Sequence, residues 1–117
     1  MLFRSDWHRQ AINRLIDLLK LRFKSLNTYV SGDILMYYVE GDPKKFIVPD
    51  VLVVKDLPTD NRRTFRVWDE GRVPNVVIEV TSKKTRNRDK FDKPELYQKL
   101  GIHELFLFDP QIGRAHV

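Results

Sequence analysis

Two carboxylates occupy positions where a folded chain rarely tolerates them. Asp50 follows Pro49 inside the apolar run FIVPDVLVV, residues 46–54, and Glu79 stands near the centre of VVIEV, residues 76–80. An ionised carboxylate taken out of water is destabilising by several kcal/mol unless a positive group pairs with it. If the two runs are neighbouring strands, the acids converge on one point. Two hard oxygen donors there, completed by waters and a backbone carbonyl, describe a magnesium site. Such an ion acidifies a bound water and neutralises charge on a phosphodiester in its transition state. A lysine beside it would position the nucleophile or stabilise the phosphorane-like state. Each acid by itself has a plainer reading. Pro-Asp is common at strand starts, where the aspartate accepts backbone N–H bonds, and Glu79 could pair with Lys93 or Lys84 and do nothing more. Both acids together, followed at once by a basic run, favour the metal.

That run is the chain's main electrostatic feature. Between Thr81 and Lys93 stand Lys83, Lys84, Arg86, Arg88, Lys90 and Lys93 against Asp89 and Asp92, so +4 of the net +5 falls within 13 residues. A charge run is most often a solvated loop. A focused stripe directly behind a buried acid suits a polyanion such as nucleic acid, whose affinity comes largely from released counterions. The 117 residues fit one domain, residues 1–117, with ordinary globular composition. The chain has no cysteine, which excludes disulfides, thiolate zinc sites and cysteine nucleophiles together. No apolar run approaches the roughly 20 residues that cross a bilayer, and the N-terminus is not signal-like. An intracellular, cytoplasmic protein with no membrane partner is the expectation.

The elements that must carry these residues follow from periodicity. Trp7, Ala11, Leu15, Leu18, Leu19 and Phe23 recur at three- and four-residue spacing, predicting an amphipathic helix from a cap at Ser5 or Asp6 to about Lys24. Residues 28–39 read as a strand with a bulge at Gly32-Asp33, and residues 46–54 as a second strand, with Pro49 at an edge or ladder gap. Residues 56–63 are a polar loop, and 64–68 a short extra strand. Residues 76–80 are the clearest strand, apolar around Glu79 as when both faces are covered. Residues 81–88 read as loop. A second helix is predicted from around Asp89 to Lys93 until Leu100, with Pro94 in its first turn and Lys93 therefore at its entrance. Residues 104–109 form a last strand, and the tail QIGRAHV has no strong pattern. The order is helix, three or four strands, helix, strand. This is one α/β domain.

The segments VPDVLVV, VWDEGRVPNVVIEVTSKKTRNRD and KPELYQKLGIHELFLFDP, in this order, closely resemble the Uma-two family of the PD-(D/E)XK restriction-endonuclease-like superfamily. The resemblance spans roughly residues 6–110. It implies a restriction-endonuclease-like core of a small mixed sheet flanked by helices, magnesium- or manganese-dependent hydrolysis of phosphodiester bonds, and DNA as substrate. Asp50 then takes the motif's first acid, Glu79 its second, and the backbone carbonyl of Val80 a third metal ligand. The superfamily's lysine, two residues after the glutamate, falls on Thr81 and is missing. A lysine from the following helix substitutes in the Uma-two branch, which here is Lys93, with Lys83 and Lys84 as competitors. Tyr97, one turn later, could steady that lysine or touch phosphate, although a helix tyrosine usually packs with its hydroxyl at the rim.

Lys83, Lys84, Arg86 and Arg88 are the candidate phosphate contacts. Asp89 most simply caps the helix, Glu70 fits a turn as well as a site, and His8 reads as an exposed histidine. His103 and His116 show no partner spacing for zinc. Nucleases of this kind often pair to cut both strands, so a homodimer is also expected, although no pattern marks its face. Family members usually carry more sequence at both ends, so this chain is expected to be short relative to them. The alternatives from other classes are a non-catalytic nucleic-acid-binding module that retains the fold, and a structural or partner-binding protein.

Overall fold

The computed structural model describes residues 6–81, 86–109 and 114–116, with backbone alone for 86–92 and 114–116. In chain order the elements are α1 (Asp6–Arg22), β1 (Thr28–Ser31), β2 (Leu35–Tyr37), β3 (Phe46–Ile47), β4 (Val51–Lys55), β5 (Thr64–Arg66), α2 (Val67–Glu70), β6 (Val76–Val80), α3 (Arg86–Lys99), β7 (Glu104–Asp109) and β8 (Arg114–His116). The strands make two sheets, a five-stranded one in the order β1-β4-β6-β7-β8 and a three-stranded one in the order β3-β2-β5. Both are mixed: β6 runs parallel to β7 and β2 to β5, and every other pair is antiparallel. The α/β class, the mixed pairing and the flanking helices are those the resemblance implies, but the strands form two sheets where one is expected.

Side-chain alternation along the large sheet divides the interior in two. On one face Val51, Ile78, Val80 and Phe108 receive the apolar stripe of α1, led by Ile12, Leu15 and Leu19. On the other, Leu52, Val54, Val77 and Leu105 pack against Tyr97 of α3 and the inner side of the small sheet, Ile34, Met36, Ile47 and Phe65. Each large apolar side chain fully buried there stabilises the fold by roughly 1.5–3 kcal/mol. Because Val77 faces the second layer, so does Glu79.

Two predicted strands each divide between the sheets. The run 28–39 leaves the large sheet after Ser31 and enters the small one at Leu35, and the run 46–54 leaves the small sheet after Ile47 and enters the large one at Val51. The cause is local. Asp33 adopts φ 50°, which no strand residue does, and Pro49 has no N–H to give a ladder. The two crossings touch: Asp33 N–H donates to the Pro49 carbonyl at 3.0 Å, and a Cβ on Gly32 would lie 2.1 Å from the Asp50 carbonyl oxygen. The expected bulge at Gly32-Asp33 is thus a change of sheet.

Other expectations differ in extent. The strand predicted over 64–68 ends at Arg66 and continues as the single turn α2, closed by Gly71 at φ 75°. The tail contributes β8, paired with β7, a strand invisible in three residues without their partner. The second helix starts at Arg86, so Arg86 and Arg88 are helical rather than in a loop, Asp89 is inside rather than capping, and Pro94 is interior. A proline there withholds the bond to the Lys90 carbonyl. The helix survives because its C-terminal half is docked through Tyr97.

Gly32→Ala is expected to lower stability by about 2 kcal/mol or more, through overpacking against Asp50 and the Ile16 side chain. Urea unfolding should show a lower midpoint with an unchanged slope, and an unshifted midpoint would mean the crossings are not in contact.

Candidate active site

The register of β4 with β6 pairs Val51 with Ile78. Continued by one residue, it sets Asp50 across from Glu79 on the face toward α3. Asp50 is 2% exposed and Glu79 is fully buried. A backbone requirement explains the aspartate's place. The Val80 N–H points toward β4, but the Pro49 carbonyl that could meet it accepts from Asp33 instead. The Asp50 carboxylate takes over, its Oδ2 accepting the Val80 N–H at 2.7 Å. The plain reading of a Pro-Asp strand start is therefore correct, and it brings the carboxyl group to Glu79.

Glu79 receives its positive partner from the crossover helix. Lys93 and Tyr97 lie one turn apart on α3 and so share a face. Tyr97 is 1% exposed, and its hydroxyl donates to Glu79 Oε1 at 2.5 Å. Lys93 Nζ donates to Oε2 at 3.3 Å as a partly buried ion pair. Lys93 sits mid-helix, not at the helix entrance, since α3 begins seven residues before it. Tyr97 is not at a rim: its hydroxyl is buried against the acid.

Burial pushes the Glu79 carboxyl up from its usual 4.5 to about 8, and the negative Asp50 beside it adds to the rise. Lys93 and the Tyr97 hydrogen bond pull in the opposite direction, and a hydrogen bond with Asp50 raises the value further. A buried acid that holds a proton near neutrality is a group prepared for a stronger cation. The donor set fits a hard divalent ion: two carboxylates from adjacent strands, with no sulfur or imidazole. Among the described residues no three His, Cys, Asp or Glu side chains gather into one cluster, so such an ion would rest on two side chains and backbone.

The remaining candidates are dispersed. Lys83 and Lys84 lie outside the described residues, as do the side chains of Arg86, Arg88 and His116. Glu70 ion-pairs with Arg62 at 2.7 Å in the α2 region, and His103 is exposed. His8 is half-buried rather than exposed, on α1, which packs on the sheet face opposite to Glu79. Thr81 is buried at the position of the superfamily's lysine, its N–H bonded to the Phe108 carbonyl at 2.7 Å. One acid was overlooked. Asp109, 3% exposed, ends β7, and register with β6 sets it beside Thr81, on the side toward Glu79. Its signal was the Phe-Asp-Pro at the strand end, where an acid follows a fully apolar run.

Without bound metal, the folded chain holds the Glu79 proton more tightly than the unfolded chain does. The stability this contributes is complete below pH 4.5 and is lost as pH rises toward about 8. Thermal unfolding in chelator should show that decline, and Glu79→Gln should flatten it. A decline of the same size in the variant would assign it to other groups.

The comparisons bear on the fold and lineage. No curated protein matches the sequence. The chain superposes on a solved structure described as "a putative nuclease belonging to DUF820 from Anabaena variabilis ATCC 29413", with a TM-score of 0.69 at 15% identity. The match covers 94% of this chain and 60% of that one, so the chain spans less than two thirds of that protein's length. At that identity the likeness is one of fold. The model of the Uma2 family, described as "Putative restriction endonuclease", matches residues 3–117, and the chain belongs to that family.

Proposed function

We propose that the chain, acting as one domain, is a divalent-metal-dependent endonuclease that hydrolyses phosphodiester bonds in DNA. The observation that carries this reading is the convergence of Asp50 and Glu79 from adjacent strands, with Lys93 3.3 Å from Glu79 Oε2. Asp50, Glu79 and the Val80 carbonyl would hold Mg²⁺ or Mn²⁺. Strand residues direct N–H and C=O toward the same neighbour, and the Val80 N–H already meets Asp50, which supports the carbonyl as a ligand. The ion would supply charge neutralisation and Lewis-acid polarisation at the phosphodiester.

Around it the chain's own groups have distinct work. Tyr97 orients the Glu79 carboxylate by fixing one oxygen. Lys93, 3.3 Å from Glu79 Oε2, would stabilise the charge that builds on the phosphoryl oxygens, with Lys83 and Lys84 as the alternatives for that role. Water forms the new bond to phosphorus, the bond to the leaving sugar oxygen breaks, and that oxygen takes up a proton. Lys83, Lys84, Arg86 and Arg88, just beyond β6, would draw in the DNA backbone through sequence-independent phosphate contacts.

Supercoiled plasmid with Mg²⁺ or Mn²⁺ should be nicked by the unaltered chain and left intact by Glu79→Ala. Lys93→Ala should nick roughly a hundredfold more slowly. Two copies acting together would give linear product. Equal nicking by the unaltered and Glu79→Ala proteins would refute the site. Salt-sensitive DNA binding without any metal-dependent nicking would favour a binding module that retains the nuclease fold.

A further inference from the structure

The outer face of the three-stranded sheet carries side chains that the acidic site does not use. Pairing of β2 with β3 sets Tyr37 opposite Phe46, and pairing of β2 with β5 sets Tyr37 opposite Arg66. Directly opposed residues project from the same face. Phe46, Tyr37 and Arg66 therefore make one line across the sheet, about 10 Å long at two strand spacings. Their chain neighbours Ile47, Met36 and Phe65 fill the core, so the line faces outward. Phe46 remains 45% exposed, and its ring lies 5.9 Å from that of Tyr37 at 56°.

At the β5 end the line meets a shallow cavity of about 250 Å³, lined in part by Arg62, Arg63 and Arg66. Arg62 is committed to Glu70 and to the carbonyls of Pro58 and Asp60, with its guanidinium over the Tyr29 ring. Arg66 is held by Asp69 at 3.1 Å. Arg63 is exposed and makes no hydrogen bond or ion pair with any described residue. On the β2–β3 turn Lys44 and Lys45 offset Glu40 and Asp42, so the cationic excess lies with Arg63.

An exposed ring against a half-buried one, with a guanidinium uncommitted among the described residues at the end of the line, complements a nucleotide whose base is unpaired: the base has a π-face to stack and its phosphate needs a cation. A base inside a duplex offers no such face. We propose that this face of the small sheet is a stacking platform for unpaired nucleotides, with Phe46 and Tyr37 taking bases and Arg63 the phosphate. The proposal deepens the nuclease reading and rests on it for its purpose. Phe46 is four residues from Asp50, no more than about 14 Å of extended chain, so a strand held here is delivered toward the acids.

Binding is measured in chelator, so that no turnover intervenes, by anisotropy of labelled oligodeoxythymidylate, oligouridylate and a DNA duplex of equal length. Phe46→Ala should weaken single-strand binding roughly tenfold with its salt dependence kept, and Arg63→Ala should reduce the salt slope by about one phosphate contact. Duplex binding should be unchanged in Phe46→Ala. The two single-strand arms separate DNA from RNA. Phe46→Trp should retain affinity, and its indole emission, above that of Trp7 and Trp68, should be quenched by the single strand. That variant decides the matter if thermal unfolding shows that Phe46→Ala has lost its fold. Unquenched indole, unchanged binding by a folded Phe46→Ala, or an equal loss on duplex would overturn the platform. Plasmid nicking by the unaltered chain is read separately, so failure of the nuclease reading is distinguishable from failure of this one.

Discussion

A carboxylate with no access to water, at the centre of the large sheet, is the constraint on which the rest of this structure turns. Glu79 is tolerated because one oxygen accepts the Tyr97 hydroxyl and the other the Lys93 ammonium. Neither donor is near it in sequence, and both come from the helix that joins β6 to β7. The acid therefore specifies how α3 must lie: a helix rotated by a third of a turn would leave a buried carboxyl group without its hydrogen-bond donors, which is destabilising by roughly 1–3 kcal/mol. The parallel pairing of β6 with β7 requires such a crossover in any case. The polar cluster decides its rotation, and the apolar packing of Tyr97, Leu96 and Leu100 decides its height.

Asp50 is held by a different logic, that of backbone satisfaction. Where the chain passes from the small sheet to the large one, Pro49 gives its carbonyl to the neighbouring crossing at Asp33. An N–H of β6 is left to be met by a side chain. An aspartate is short enough to do so from the residue before the strand. Gly32 allows the two crossings to close on one another, since any side chain would occupy the place of the Asp50 carbonyl. The two acids are thus neighbours for independent structural reasons, and burial, together with the negative Asp50, pushes the Glu79 carboxyl up to about 8.

The two faces of the small sheet differ in chemistry. Its inner face, Met36, Ile47 and Phe65, completes the core under α3. Its outer face leaves Phe46 45% exposed and Tyr37 half-buried, although burying those rings would have been stabilising. The 15% identity with a structure of the same fold shows how few positions the architecture itself dictates.

How much was legible in the sequence divides along the range of the interactions involved. The strands 76–80 and 104–109 were read with their observed bounds, because continuous apolar runs carry their own signal. Asp50 and Glu79 stood out for the same reason, as acids in runs that should have none. The changes of sheet at Gly32-Asp33 and Pro49-Asp50 were seen only as irregularities, since nothing local says which sheet receives the chain next. α3 was placed too late because Pro94 argues for a first turn, an argument that docking through Tyr97 overrides. β8 exists only by virtue of β7. Residue types and their neighbours along the chain thus determined which groups carry charge into the interior. The tertiary structure alone decided which groups answer them, because the partners of Glu79 and Asp50 lie between 14 and 30 residues away, and only the closing of both sheets around α3 brings them within bonding distance.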